Sequence, residues 1–138
     1  MSACEPGPGI QQQVTWVYCD DLDGACAFYA EVLGLTLVLD QGSCRIFRAA
    51  PDAFIGVCRS RPGRRVEPQG VVLTLVTDRV DAWYARLAEL GVPTEAPPRL
   101  SEAFNVYSFF TRDPSGYRIE FQSFRDPVWP EPAGSASA

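Results

Sequence analysis

Residues 14–19 and 71–77 are runs of β-branched and aromatic side chains, the pattern of strands. Each run leads into a stretch with apolar residues at helical spacing. Ala25, Phe28, Val32 and Leu33 fall on one stripe of the first; Val80, Trp83, Leu87 and Leu90 fall on one stripe of the second. Asp21 or Asp23 is placed to cap the first helix and Asp78 the second. Gly34 and Gly91 stand where a helix takes a left-handed residue at its end, and Leu35 and Val92 follow as the apolar residues that pack back on the last turn. Pro93 stops the second helix. The pattern predicts further strands at 36–40, 44–49 and 54–59, then near 94–96, 105–111 and 117–123. Asp113-Pro114-Ser115-Gly116 is a turn, with proline presetting φ and glycine closing it.

The two halves repeat. Asp21 and Asp78 are 57 residues apart, as are Ala25 and Ala82, Leu33 and Leu90, Gly34 and Gly91, and Val14 and Val71. A constant offset over that span implies two copies of one supersecondary unit, each βαβββ. The organisation that follows is a tail at 1–13, one domain at 14–124 and a tail at 125–138, where Trp129 is available to dock. Within the domain lie modules at 14–59 and 71–123, joined by a polar linker at 60–70 carrying Pro62, Gly63 and Pro68.

Bulk properties narrow the function. The chain has 138 residues, a length that suits one domain with a real core. Its formal charge of −5 argues against nucleic acid and anionic membrane surfaces as partners. No apolar stretch reaches bilayer length, and residues 1–9 lack the basic and apolar regions of a signal peptide, so a cytoplasmic protein is expected. The five cysteines (Cys4, Cys19, Cys26, Cys44, Cys58) are odd in number and form no C-x-x-C pair, which reads as reduced thiols. There is no histidine, which excludes His-based acid–base catalysis and any His-containing metal site.

Asp21-Leu22-Asp23, then Ala27-Phe28-Tyr29, then Val32-Leu33-Gly34-Leu35, resemble the opening of vicinal oxygen chelate proteins, the glyoxalase/bleomycin-resistance/extradiol-dioxygenase group. The run from Asp113 to Phe121, DPSGYRIEF, resembles their close. The resemblance covers about 13–124. It implies an α+β fold in which two βαβββ modules form a curled mixed sheet around a cavity. It also implies, for the metal enzymes of the group, one ligand from the first strand of each module and a carboxylate from the last strand. Those positions fall here on Val14, Val71 and Glu120; only Glu120 matches. Gln13 would need a bulge to take the place of Val14, and Cys58 is the one conceivable ligand on the last strand of module one. A single carboxylate holds a divalent ion poorly, so no cofactor is expected, and a divalent metal on Glu120, Cys58 and water is the unsupported alternative.

Strand alternation puts Arg118, Glu120 and Gln122 on one face of the last strand. The same reasoning turns Val14, Trp16 and Tyr18, and Val71, Leu73 and Leu75, toward the cavity. Tyr107 and Phe109 extend an aromatic wall, and Asn105 stands at the mouth. Glu120 reads as a general base or a cation anchor, or else as half of a salt bridge with Arg118 or another arginine. Trp16 and Tyr18 read as ring-stacking groups or as plain core. The expectation is a metal-free small-molecule-binding protein, homodimeric, with an aromatic-lined cavity. The alternative is a lyase, isomerase or dioxygenase-like enzyme using Glu120 as base or metal ligand, assisted by Tyr18 or Arg118.

Overall fold

A computed structural model describes residues 4–132. In module one, β1 (Gln13–Cys19) leads to α1 (Leu22–Ala27), a π turn (Phe28–Val32), β2 (Thr36–Asp40), β3 (Cys44–Ala50) and β4 (Ala53–Arg59). In module two, β5 (Val72–Val76) leads to α2 (Val80–Glu89), β6 (Arg99–Ser101), β7 (Val106–Arg112) and β8 (Arg118–Phe124). The fold is α+β, two βαβββ modules. Each makes a mixed four-stranded sheet, ordered β1-β4-β3-β2 and β5-β8-β7-β6, in which the first strand runs parallel to the last. The two sheets do not close on one another. No helix among the described residues is long and apolar enough to cross a membrane.

One face of each sheet carries the helices, and a single core runs through both modules. Tyr29, Leu33, Phe47, Val57, Leu87, Phe109, Ile119 and Phe121 are all but sealed from solvent. The rings of Trp83, Phe121 and Phe109 stack in series at 4.7 and 5.1 Å between centroids. Each such side chain contributes about 1.5–3 kcal/mol by burial. Polar joints cross between modules. The Tyr29 hydroxyl donates to Asp113 at 2.7 Å, the Tyr117 hydroxyl accepts from the N–H groups of Tyr18 and Glu67, and Arg86 donates to the carbonyls of Val32 and Glu31. Burial pushes the Asp113 carboxyl up, against the hydrogen bonds that Tyr29, Tyr117 and Ser115 give it.

The helix ends correct one expectation and add one feature. Asp21 does cap α1, accepting from the Gly24 N–H at 3.1 Å. Asp78 does not cap α2: Arg79 holds that position without a side-chain bond, and the Thr77 hydroxyl takes the Arg79 N–H instead. The π turn was not expected. Leu33 N–H reaches back five residues to Phe28 C=O, and Leu35 N–H reaches back six to Tyr29 C=O; in α2 the matching Val92 N–H reaches back only five, to Leu87 C=O. A π turn absorbs one extra residue in a helix. Buried positions before it therefore repeat at 58, Leu22 with Val80 and Tyr29 with Leu87, while the terminating Gly34 and Gly91 repeat at 57.

One strand expectation and one cysteine expectation also change. Residues 94–96 make only an isolated bridge, Thr94 to Thr111, and β6 starts at Arg99. Pro97 and Pro98 have no N–H to give a ladder. Cys44 and Cys58, expected as thiols, are joined as a disulfide across β3 and β4; Cys19 and Cys26 are free and buried, and Cys4 is free and exposed.

Candidate functional site

The sheet faces turned away from the helices carry the chemistry. On β8 these positions are Arg118, Glu120, Gln122 and Phe124, since Ile119 and Phe121 point into the core. The ladders set Thr74 of β5 beside Glu120 on one side, and Phe110 and Ser108 of β7 beside Glu120 and Gln122 on the other. Glu120 is half-buried and both its oxygens are engaged: Oε1 accepts from the Thr74 hydroxyl and Oε2 from the Gln122 amide, each at 2.9 Å. It forms no ion pair among the described residues. Arg118 is occupied elsewhere. It donates two bonds to Glu95, at 2.7 and 2.8 Å, and lies over the Phe110 ring at 3.8 Å. Arg118 holds the Glu95 carboxyl below its usual value. The expected Arg118–Glu120 bridge is thus replaced by Arg118–Glu95.

The same face of sheet one is apolar except for Arg48, which pairs with Phe54 and lies over its ring at 5.0 Å. Val14, Trp16 and Tyr18 lie on it as expected, beside Phe54, Gly56 and Cys58 of β4. The Trp16 indole lies flat over Gly56, where any larger residue would collide with the ring. Trp16 is 41% exposed and Tyr18 half-buried, so neither is a core residue of one chain.

Several expected residues lie elsewhere. Leu73 and Leu75 point to the helix side, paired with Ile119 and Phe121; Val72, Thr74 and Val76 take the open face in their place. The first-strand equivalent of Val14 is therefore Val72, not Val71. Val71 precedes β5 and is exposed at the rim of a groove of about 370 Å³ along the seam with Gln13, Phe54 and Thr74. Phe109 is core, stacked on Phe121. Tyr107 is also on the helix side; its hydroxyl donates to Asp81 at 2.6 Å. Asn105 sits in the β6–β7 turn with φ 53°, exposed, and its carbonyl accepts from Arg125. Beyond β8 the chain turns, and Trp129 stacks on Phe124 at 3.7 Å. Residues 130–132 then form one side of a groove of about 540 Å³ facing Ala49–Ala53 and Thr74–Val76.

The donors do not suit a divalent metal. No group of three or more Cys, Asp or Glu that could hold an ion occurs among the described residues. Val14 and Val72 offer no ligand atom, the Thr74 and Gln122 groups are neutral and spent on Glu120, and Cys58 is in a disulfide.

The profile of the Glyoxalase/Bleomycin resistance protein/Dioxygenase superfamily matches residues 10–121. Among solved structures, a lactoylglutathione lyase from Agrobacterium tumefaciens is similar at 25% identity and TM-score 0.72, over 91% of this chain and all of that one. A glyoxalase/bleomycin resistance protein/dioxygenase from Nocardioides is similar at 20% identity and TM-score 0.69, over 96% and 93%. TioX from Micromonospora sp. ML1 is similar at 19% identity and TM-score 0.69, over 81% and 97%. No curated protein matches the chain.

Proposed function

The chain belongs to the Glyoxalase/Bleomycin resistance protein/Dioxygenase superfamily, and from that premise we propose that it is a metal-free small-molecule-binding protein whose ligand is a flat, largely apolar body carrying a protonated amine. The observation behind this reading is the state of Glu120. Its carboxylate is oriented by two neutral donors, while the nearest guanidinium on its strand is committed to Glu95. A carboxylate held this way has no guanidinium hydrogen-bonded to it and offers its charge to a ligand. Trp16, on the open face of the other sheet, supplies free ring surface.

The open faces also support a homodimer. Val14, Trp16, Val72 and Val76 are each more than a third exposed, which is costly for an apolar strip and is relieved by a second copy. An enzymatic reading, with Glu120 as a base, draws on the likeness to the Agrobacterium lyase.

The test is titration calorimetry with a panel of planar amines, their neutral isosteres and planar carboxylates. A charge-assisted bond is worth about 1.5–3 kcal/mol, so Glu120→Gln should weaken amine binding by roughly 10- to 100-fold and leave neutral compounds unaffected. Equal affinity of amines for both proteins would sink the proposal. A bound compound that is converted by the parent and merely retained by Glu120→Gln would move the protein to the enzymatic reading.

A further inference from the structure

The Cys44–Cys58 bond plays no part in the ligand reading. The two residues are directly opposed in the β3–β4 ladder. One step along, the Arg59 N–H donates to the Ser43 carbonyl at 2.9 Å. Cys44 and Cys58 are therefore a non-hydrogen-bonded pair, the closer of the two antiparallel pair types, and their Cα atoms are 4.1 Å apart. The spacing is set by the backbone rather than by sulfur. β3 pairs with β4 from this point to the turn, β2 holds β3 from outside, and β1 holds β4 from the other side, with Tyr18 beside Cys58. Two thiols at these positions stay neighbours after reduction, and re-forming the bond requires no backbone movement.

The two sulfurs differ in access. Cys44 is half-buried at the start of its strand, and Cys58 is 4% exposed. Two of the three other thiols do not compete. Cys19 and Cys26 are buried, and desolvation pushes the Cys19 thiol up to about 11, so it supplies little thiolate.

We infer that Cys44 and Cys58 form a reversible dithiol–disulfide site that exchanges with low-molecular-weight disulfides, Cys44 as the entering sulfur and Cys58 as the resolving one. The Cys44 thiolate attacks one sulfur of the small disulfide, forms a mixed disulfide and expels one small thiolate. The Cys58 thiolate then attacks Cys44 Sγ and expels the second. Two electrons and two protons pass from the protein to two small thiols. In the reverse direction, two small thiols reduce the pair. The site has a built-in reporter. Gly56 precedes Cys58 by two residues on the same face, and the Trp16 indole covers it. Indole emission is quenched by a nearby disulfide.

The experiment uses the full chain with Cys4→Ser, which removes the exposed tail thiol. Native protein is equilibrated in buffers of graded reduced and oxidised glutathione, quenched in acid, alkylated and weighed. Both thiols should be lost together as the buffer becomes more oxidising, following a two-electron curve, and the total indole emission, of which Trp16 is the part beside the pair, should fall on the same curve. Cys58→Ser should trap one glutathionyl adduct on Cys44, and Cys44→Ser should trap far less on Cys58. The inference is overturned if the bond survives excess reduced glutathione until urea is added, which would make it a fixed cross-link. It is equally overturned if both thiols stay alkylatable in every buffer. Should either serine variant fail to fold, the titration with both cysteines in place decides alone.

Discussion

The two modules share strand order, ladder polarity and helix placement, yet the same spot in each sheet does opposite things. Trp16 pairs with Gly56 in sheet one; Thr74 pairs with Glu120 in sheet two, and residues 16 and 74 are equivalent at the 58-residue offset. One spot is a bare indole over glycine. The other is a carboxylate set by a hydroxyl. A duplicated scaffold has thus become a wall and an anchor without a change of topology. The second difference is one residue of helix. The π turn of module one carries Leu33 into the core at 2% exposure, while Leu90, its mate at the 57-residue offset, is left 53% exposed.

That contrast is open to direct test. Leu33→Ala should cost about 2–5 kcal/mol, the range for a buried leucine that leaves a cavity. Leu90→Ala should change stability by about 0.5 kcal/mol or less, since it removes a mostly solvated side chain. Urea midpoints of the two variants measure both. Equal losses would mean that the π turn does not set which leucine is core.

A deletion sharpens the point. Glu31 is exposed and lies within the π turn. Removing it should close the turn to regular helix and rotate Leu33 outward, to the place Leu90 has in α2. The expected cost is about 2 kcal/mol, the burial of one leucine. Leu33→Ala made in the deletion background should then be nearly silent, and the double-mutant cycle should show strong coupling. Additive costs would refute the rotation.

The same residue explains what could be read in advance. The repeat, the strand-helix order, the caps at Asp21 and Gly34 and the open-face run Arg118, Glu120, Gln122 all follow from local pattern, and local pattern is what a sequence displays. The 57-residue offset holds at Gly34 and Gly91, on the far side of the π turn. Carried back across it to the strands, it was wrong by one. In a period of two, one residue inverts every side chain. Hence the pattern turns Leu73 and Leu75 toward the cavity and hides Thr74, the residue that orients Glu120. No composition signal marks a π turn, because Phe28–Val32 is ordinary helix former and apolar stripe. Burial parity would have found it: Leu73 and Leu75 are the heavier apolar pair of β5. Glu95 was missed for a different reason. It is in no regular strand, and only tertiary folding brings it to Arg118.

The Arg118–Glu95 pair yields a small stability effect and the most informative ligand effect. Both side chains are about a third exposed, so solvent screening keeps the pair below about 1 kcal/mol. Its sign with pH is fixed. The folded state lowers the Glu95 carboxyl below its ordinary 4.5, so the stabilisation is full above that value and is lost as pH falls through the lower, folded one. The stability gap between the parent and Glu95→Gln should therefore shrink under acid, in urea midpoints taken across that range. At neutral pH the substitution has a second consequence. It frees Arg118, which shares a face with Glu120 two residues away, to pair with that carboxylate. Amine binding should then weaken while stability barely changes. Arg118→Gln in the Glu95→Gln background should restore the affinity, because the competing cation is gone. If Glu95→Gln leaves amine affinity intact, module two does not need its arginine held aside, and Glu120 is an anchor for some other reason.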